Sequence, residues 1–317
     1  MLSLDDKWLW DSWYVHDGDL WHAFYLQAPK SIGDPEQRHW NVSYGHATSR
    51  DLVNWDHLGT CFAPADGPAW DDYTTWTGSV VRGDDWKWHL FYTGTSREGG
   101  GKHQKLGHVT SDDLHNWNRV GSGLILDRDA RYEEYQIDRW HDRAFRDPWV
   151  MRDPEGDGWI MYFTARDASV TGWLDAGAID FATSPDLYTW TLQDPDFTGG
   201  FGELEVPQVF EWGSTWYCLF CTGERFWSDS AKDLLGRLQT GNHCLIGAGP
   251  RGPWRLAPGP FLDGTTYAGR IVNDGGIRKL MGFLQHDPQT DPFPGKISDP
   301  IPLTRLEDGR LSLADND

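Results

Sequence analysis

The segment Thr48-Ser49-Arg50-Asp51-Leu52-Val53-Asn54-Trp55 decides the fold, because it recurs along the chain. Close copies lie at 110–117 and 183–190, and a degenerate copy lies at 249–254. In the shared pattern T-S-x-D-L-x-x-W, the Ser and Asp side chains can bind backbone N–H groups in a turn, while Leu and Trp can anchor that turn to a core. Copies spaced about 60 to 70 residues apart indicate a fold built from repeated units.

A second repeat alternates with the first and consists of a short strand, a hairpin and an aromatic strand. The hairpins are marked by Asp- and Gly-rich turns such as Asp17-Gly18-Asp19 and Gly83-Asp84-Asp85. The short strands are predicted at 13–15, 79–81, 149–151, 207–210 and 270–272, and the aromatic strands at 21–27, 88–93, 159–164, 216–222 and 279–285. With a third strand and a Trp-bearing outer strand, each unit has four antiparallel strands.

Five such units predict an all-β fold, a five-bladed β-propeller, rather than a barrel with helices between its strands. Residues 1–317 are expected to form this single domain, with no C-terminal β-sandwich. Only 228–238 has a helical pattern. Longer inserts are predicted as loops around the face that holds a site, at 28–43, 94–105, 126–145 and 226–242.

Composition limits the class of partner. The 20 tryptophans among 317 residues are typical of sheets with aromatic inner faces or of a sugar-binding cleft. The net charge of −20 argues against nucleic acid and anionic membranes as partners, since binding phosphates requires a surplus of Lys and Arg. The sequence therefore favours a small carbohydrate as partner and predicts no oligomeric state.

The cysteines and the N-terminus bear on cofactors and location. No run of about 18 apolar residues is present, and the first residues lack the pattern of a signal peptide. Cys61, Cys218, Cys221 and Cys244 lack the spacing of a zinc site, and Cys218-x-x-Cys221 lies in an apolar run that predicts a buried strand. We therefore expect free thiols, no metal or other cofactor, and a cytoplasmic location.

The entrances to the first strand of each blade should converge on one funnel, because these strands surround the central axis. Three of the five entrances carry a carboxylate, namely Asp11, Asp147 and Glu205. Acids that converge raise one another's pKa and lower the stability of the fold. Such a cost is expected mainly where a function requires the acids. Glycoside hydrolysis requires such carboxylates, one to attack or to activate water and one to protonate the leaving oxygen. The entrances are Trp10-Asp11-Ser12-Trp13, Trp76-Thr77-Gly78-Ser79, Arg146-Asp147-Pro148, Glu205-Val206-Pro207 and Tyr267-Ala268-Gly269-Arg270.

These motifs resemble those of the clan of invertases and levansucrases, and at motif level they are most similar to the levansucrase family. The segment at 10–13 resembles the W-D-S-W nucleophile motif, and 76–79 resembles W-S-G-S. Arg146-Asp147-Pro148 is similar to the R-D-P triplet of both families, 203–205 to E-x-E and 222–225 to T-D-S-R. The chain departs from levansucrases at Tyr14 and Val206, where those enzymes have Pro and Arg.

The resemblance implies retaining hydrolysis of β-fructofuranosides, such as sucrose or short fructo-oligosaccharides. Asp11 would be the nucleophile, Glu205 the general acid/base and Asp147 the residue that stabilises the charge of the transition state. Sugar-binding roles are implied for Trp10, Trp76, Thr77, Ser79, Arg146, Glu203 and Arg225, with Trp13 as a further candidate.

Three alternatives remain open on the sequence. An inverting arabinofuranosidase or xylosidase can use the same propeller, with carboxyl groups about 6.5–9.5 Å apart instead of about 5–5.5 Å. A fructosyltransferase would differ only in what reaches the acceptor position. A non-catalytic sugar-binding propeller would need neither a nucleophile nor a proton donor.

Overall fold

The computed structural model describes residues 1–236, 239–259, 261, 264–285 and 293–314. These residues contain five antiparallel sheets, each formed by strands that are consecutive in the sequence. The arrangement confirms the predicted five-bladed β-propeller with four strands per blade. The third blade has its outer strand in two short pieces, so its sheet contains five strands.

The strands are numbered along the chain. Blade one contains β1 (Lys7–His16), β2 (Trp21–Pro29), β3 (Ser43–Ser49) and β4 (Asp56–Phe62). Blade two contains β5 (Thr74–Arg82), β6 (Trp88–Thr95), β7 (Lys105–Ser111) and β8 (Asn118–Leu126). Blade three contains β9 (Phe145–Arg152), β10 (Trp159–Arg166), β11 (Gly177–Ser184), β12 (Thr191–Leu192) and β13 (Phe197–Thr198). Blade four contains β14 (Glu205–Trp212), β15 (Thr215–Thr222), β16 (Gly241–Gly247) and β17 (Trp254–Leu256). Blade five contains β18 (Thr266–Asp274), β19 (Ile277–Leu284), β20 (Ile301–Arg305) and β21 (Leu311–Leu313).

The innermost strands β1, β5, β9, β14 and β18 contact one another in a closed ring. The N-terminus helps to close this ring, since Leu2 and Ile297 exchange two backbone hydrogen bonds of 3.1 and 3.0 Å. Leu2 therefore ties the start of blade one to a segment that also pairs with Phe283 of blade five.

Helices occur in the loops between strands. The predicted helix at 228–238 is α1 (Asp229–Leu235), whose N-cap Ser228 accepts a hydrogen bond from the Ala231 N–H and whose C-cap Gly236 is left-handed with φ 69°. Residues 237 and 238 lie outside the described residues. The described residues also form three 3₁₀ helices, Lys30–Ile32, Pro35–Trp40 and Glu224–Phe226. Among the helices in the described part of the chain, none is long and apolar enough to cross a membrane.

The repeated T-S-x-D-L-x-x-W segments form the turns that the sequence predicts. Ser49 Oγ accepts hydrogen bonds from the N–H groups of Asp51 and Leu52. The Asp51 side chain accepts hydrogen bonds from the N–H groups of Val53 and Asn54. Trp55 Nε1 donates to the Leu52 carbonyl at 3.1 Å. These bonds hold Leu52 at a left-handed φ of 64°, which is uncommon for this residue type. Leu114 and Leu187 take the same conformation in the other two copies.

Aromatic and histidine side chains connect neighbouring blades around these turns. His22 Nδ1 lies 2.9 Å from His46 Nε2 in blade one, and His115 from the turn of blade two contacts both rings. In the next pair of blades, His89 Nδ1 lies 2.8 Å from His108 Nε2. Here Tyr188 from the turn of blade three contacts both rings. The turns of blades two and three therefore each pack against the preceding blade.

The inner strands begin earlier than the sequence predicts, and all five contain a bulge. The entrance motifs lie within the strands, where the register with the second strand shifts by one residue. A bulge inserts one extra residue and redirects the neighbouring side chains. In β5, Gly78 is required at this point because a Cβ there would collide with the carbonyl oxygen of Phe91. The carboxylates are therefore presented by bulges rather than by strand ends.

Candidate active site

The bulged segments of the inner strands open into a cavity of about 1140 Å³. The structure brings nine of the eleven residues with predicted or candidate roles to its wall. These are Trp10, Asp11, Trp76, Thr77, Arg146, Asp147, Glu203, Glu205 and Arg225. The three acids expected from the repeat thus meet in one place.

Ser79 is one of two predicted site residues that the structure does not bring to this wall. Its side chain is fully buried, and Oγ accepts a hydrogen bond of 3.1 Å from the N–H of Val150 in the neighbouring blade. Because Ser79 follows the bulge of β5, it faces the packing between blades rather than the cavity. Trp13 is likewise core, with its ring edge-on to Tyr44 at 4.8 Å. We therefore correct both expected sugar contacts to structural roles.

Asp11 is held by the blade-two motif. Thr77 donates a hydrogen bond from Oγ1 to Asp11 Oδ2. Burial raises the pKa of Asp11, while the Thr77 hydrogen bond and the positive charge of Arg270 oppose that rise. Thr77 itself is buried with 1% exposure. The arrangement fixes one oxygen of Asp11 and leaves the side chain on the cavity wall.

Asp147 is the most enclosed of the three acids. Val206 donates its N–H to Oδ2 at 3.1 Å, and the Asp147 N–H donates to Thr93 Oγ1 at 2.9 Å. Burial raises the pKa of Asp147 to about 6, against the attraction of Arg146 beside it. Its backbone has φ 60°, a left-handed conformation that is strained for a residue with a Cβ. The bulge therefore fixes both the position and the direction of this carboxylate.

Arg146 links the remaining carboxylates. Its NH2 donates to Glu205 Oε1 at 3.0 Å and lies 3.3 Å from Glu203 Oε1. Burial and the adjacent negative charge of Glu203 raise the pKa of Glu205 to about 8. Burial alone would also raise the pKa of Glu203, but Arg146 and His141 outweigh it and hold that pKa below its usual value. Near neutral pH, Glu205 is therefore protonated and Glu203 is a carboxylate.

Blade five contributes Tyr267, which the sequence places at an entrance without an acid. Its hydroxyl donates a hydrogen bond to Glu205 Oε2. Glu205 thus has Arg146 on one oxygen and Tyr267 on the other. Its position in the entrance motif of blade five was the available signal, since the same position in other blades lines the cavity.

The insert before β9 supplies two residues that sequence reasoning missed. His141 Nε2 lies 2.9 Å from Glu203 Oε1, and Asp142 Oδ2 lies 3.7 Å from Arg146. Gln104 donates to Asp142 at 2.6 Å and accepts from Arg146 at 3.3 Å. The only signal in the sequence was the length of the insert, because neither residue belongs to a repeated motif.

The insert between β2 and β3 forms the wall near Asp11. Trp76 Nε1 donates to the His39 carbonyl at 2.9 Å, and its ring lies 5.7 Å from that of Trp40. Arg38 is buried, with its guanidinium 4.0 Å from the ring centre of Phe293 and 5.8 Å from that of Trp10. The expected loop is therefore partly a 3₁₀ helix whose aromatic and basic side chains enclose the cavity.

Arg225 lies at the rim on the 3₁₀ helix Glu224–Phe226. It is exposed, and its guanidinium lies 4.5 Å over the ring of Phe226.

No group of three or more His, Cys, Asp or Glu side chains suited to a metal ion occurs within the ranges that the structure describes. The four cysteines are unpaired.

Sequence comparison agrees with this geometry. Residues 9–239, more than half of the chain, match the glycosyl hydrolases family 32 N-terminal domain. The chain belongs to glycosyl hydrolase family 32. The match covers the first four inner strands and so includes the segments that carry Asp11, Asp147 and Glu205.

Curated relatives of this family 32 chain include invertases and sucrose-6-phosphate hydrolases. An invertase of Kluyveromyces lactis is 27% identical over 232 residues, which cover 65% of this chain and 34% of that protein. A sucrose-6-phosphate hydrolase of Escherichia coli is 30% identical over 211 residues, which cover 64% of this chain and 38% of that protein. The matches thus span about a third of the length of these relatives.

Solved structures share the fold at lower sequence identity. An inulosucrase from Halalkalicoccus jeotgali bound to kestose has a TM-score of 0.80 at 20% identity and matches 99% of this chain and 90% of that one. Bacillus subtilis levansucrase has a TM-score of 0.75 at 17% identity and matches 98% of this chain and 87% of that one. Family and fold together confirm the invertase and levansucrase clan.

Proposed function

We propose that this chain hydrolyses β-fructofuranosides with retention of anomeric configuration, with sucrose or short fructo-oligosaccharides as substrates. The observation that carries the proposal is the convergence of Asp11, Asp147 and Glu205 on one cavity, where their surroundings favour different protonation states. Glu205 has a pKa raised to about 8 and can donate a proton at neutral pH. Asp147 has a pKa of about 6 and is ionised there. A proton donor beside a carboxylate is the arrangement that glycoside hydrolysis requires.

In the first step, an Asp11 oxygen attacks the anomeric carbon of the fructosyl unit while Glu205 gives its proton to the departing oxygen. The hydrogen bond from Thr77 orients the attacking carboxylate. Asp147 stabilises the positive charge that develops on the sugar ring, since it is a fixed carboxylate in an enclosed site. The product of this step is a fructosyl ester of Asp11 and a free alcohol.

In the second step, Glu205 as carboxylate removes a proton from water, and that water releases fructose from Asp11. Another sugar in place of water would give transfer. The cavity of about 1140 Å³ exceeds the volume of one fructosyl unit and favours some transfer as a second activity. Among curated relatives, a 6(G)-fructosyltransferase of Asparagus officinalis is 40% identical over 81 residues. That match covers 25% of this chain and 12% of the relative.

Neutral sugars fit the site better than phosphorylated ones. The cavity wall combines aromatic side chains such as Trp10, Trp40 and Trp76 with more carboxylates than cations. Some relatives are sucrose-6-phosphate hydrolases, so sucrose-6-phosphate is included as a comparison, while neutral sucrose is the expected substrate. The cytoplasmic location that free cysteines favour stays a prediction.

One assay tests the proposal against its alternatives. Purified protein is incubated with sucrose, kestose and sucrose-6-phosphate, and beside these with nitrophenyl arabinofuranoside and nitrophenyl xyloside. We expect fructose release from sucrose or kestose, with the β-anomer observed first by NMR. Cleavage of the nitrophenyl glycosides alone would replace the proposed reaction with that of a pentosidase, and first appearance of the inverted anomer would show inversion instead of retention. Binding of these sugars without turnover would identify a sugar-binding propeller.

A further inference from the structure

Arg270 is a buried arginine on the inner strand of blade five, and it is fastened to blade four. Its side chain is 1% exposed. NH1 donates hydrogen bonds to the carbonyl oxygens of Val206 at 3.2 Å and Pro207 at 2.6 Å. These two residues form the bulge of β14, directly after Glu205. Arg270 therefore holds the backbone that follows the proposed acid/base.

The bulge that Arg270 binds is strained. Val206 has φ 55°, a left-handed conformation in which a β-branched residue is a genuine outlier. Its N–H donates to Asp147 Oδ2 at 3.1 Å, while its carbonyl accepts from Arg270. Strain of this kind persists only where surrounding contacts hold it. Here Val206 is held between Asp147 on its N–H and Arg270 on its carbonyl.

Both of these hydrogen bonds come from NH1 of the Arg270 guanidinium. Its Nε and NH2 atoms are buried and have no hydrogen-bond partner among the residues that the structure describes. Burial lowers the pKa of Arg270 to about 10, and the carboxylates of Asp147 and Asp11 oppose that fall. The guanidinium stays charged near neutral pH. A buried cation is costly unless nearby negative charge compensates it, and Asp147, with a pKa of about 6, provides such a charge near neutral pH.

Other titratable groups within range of Arg270 are Tyr14, Cys218 and Cys221, on two further strands. Burial raises the pKa of all three, so they are neutral in the range in which the site works. The ring of Trp149 lies 5.1 Å from the guanidinium and carries no charge. The carboxyl groups of Asp11 and Asp147 are therefore the groups near Arg270 whose pKa values its charge lowers.

We propose that Arg270 is a positioning residue that holds the Val206 bulge between Glu205 and Asp147 and adds positive charge close to the carboxyl groups of Asp11 and Asp147. This inference rests on the function proposed above for the three carboxylates. It assigns two separable tasks to one side chain, a geometric one through the Val206 and Pro207 carbonyls and an electrostatic one through the guanidinium charge.

Two substitutions of similar length separate the charge from the shape. Arg270→Met removes the charge, and Arg270→Lys retains it. In Arg270→Met we expect kcat on sucrose or kestose to fall about 10-fold or more with little change in KM. The acid limb of the pH profile should move up by about one unit, since one nearby cation is lost. Arg270→Lys should keep the wild-type acid limb and lose only part of kcat.

A second substitution tests the geometric task. Glycine takes a positive φ without strain, so Val206→Gly relaxes the bulge. In the Arg270→Met background, Val206→Gly should recover part of kcat but should leave the acid limb shifted, because the charge is still absent. Val206→Gly alone is the matched control for effects of the smaller side chain. Arg270→Gln, which keeps hydrogen-bond donors without charge, replaces Arg270→Met if that variant does not fold.

The decisive readout does not require turnover. In aspartate-labelled protein, the carboxyl carbons of Asp11 and Asp147 are titrated by ¹³C NMR and assigned with Asp11→Asn and Asp147→Asn. Titration at higher pH in Arg270→Met supports the inference even if no fructoside is cleaved by wild type, an outcome that overturns only the proposed function. Unchanged titration, kcat, KM and acid limb together with a lower melting temperature would reduce Arg270 to a structural residue and overturn the inference.

Discussion

Glu203 and Glu205 lie two residues apart and share one arginine, yet their pKa values move in opposite directions. Arg146 NH2 is 3.3 Å from Glu203 and 3.0 Å from Glu205. Glu203 also has His141 at 2.9 Å and stays ionised. Glu205 faces the charge of Glu203 in a buried site, so its pKa rises to about 8. Near neutral pH, Glu205 therefore retains its proton, whereas Glu203 is ionised.

This difference predicts distinct phenotypes for Glu205→Gln and Glu203→Gln. A general acid matters most for a poor leaving group, so Glu205→Gln should lose about 10²- to 10⁴-fold activity on sucrose. It should lose much less on fructosyl fluoride, whose leaving group needs little protonation. Added azide should then restore release of the fructosyl group, since azide attacks without deprotonation. Steady-state assays with both substrates measure this.

Glu203→Gln is the matched control for that experiment. This variant removes a negative charge beside Arg146. We expect it to weaken sugar binding, and we expect azide not to restore its activity. If azide rescues Glu203→Gln and not Glu205→Gln, the two roles are exchanged.

Asp11→Asn should abolish turnover and leave the fold intact. The amide is nearly isosteric and can still accept the hydrogen bond from Thr77, but it cannot form the fructosyl ester. We expect activity to fall about 10⁴-fold or more, with an unchanged circular dichroism spectrum and melting temperature within a few degrees. Activity close to wild type would remove Asp11 from the mechanism.

Asp147→Asn should lower kcat by about 10³-fold with a smaller change in KM. The reason is that the carboxylate acts mainly on the charge of the transition state, not on the bound sugar. Michaelis–Menten kinetics on the best fructoside measure both constants. A defect limited to thermal stability would instead make Arg146 and Asp147 a structural ion pair.

The pH profile of kcat/KM should be bell-shaped. Activity requires Asp11 and Asp147 to be ionised and Glu205 to be protonated. Burial raises the pKa of both aspartates, that of Asp147 to about 6, and the pKa of Glu205 is about 8. Activity should therefore fall below about pH 6, as Asp147 gains a proton, and above about pH 8, as Glu205 loses one. A profile still rising at pH 9 would contradict the assignment of Glu205 as proton donor.

The buried histidines predict loss of stability in acid. Burial lowers the pKa of His46 and of His108 to about 3. The unfolded chain therefore binds these protons first, and stability that is present above about pH 6.5 is lost as pH falls toward 3. Each residue should cost about 2 kcal/mol of unfolding free energy between pH 7 and pH 5.

His108→Gln is the variant that tests this, because its amide can replace the contact of Nε2 with His89 but does not titrate. Urea unfolding at pH 7 and pH 5 should show a smaller acid loss in the variant than in wild type. An equal loss in both proteins would assign the acid sensitivity to other groups.

The sequence by itself predicted the propeller, its blade count and the three acids. It could do so because the decisive interactions are local. The turn at Thr48–Trp55 is closed by hydrogen bonds among residues at most three positions apart, such as those to Ser49 and Asp51. Repetition of that local unit places the same inner-strand position of every blade at the axis, so motifs at equivalent positions converge.

Only the tertiary structure decided which side chains act together and in which protonation state. Glu203 and Glu205 are identical residues, and their difference comes from Arg146, His141 and burial, which are supplied by other segments. Ser79 was misassigned because a one-residue bulge in β5, which the strand pattern does not reveal, changes which side chains face the cavity. Ionisation and bulge geometry depend on contacts between distant parts of the chain, and those contacts exist only when the blades are assembled.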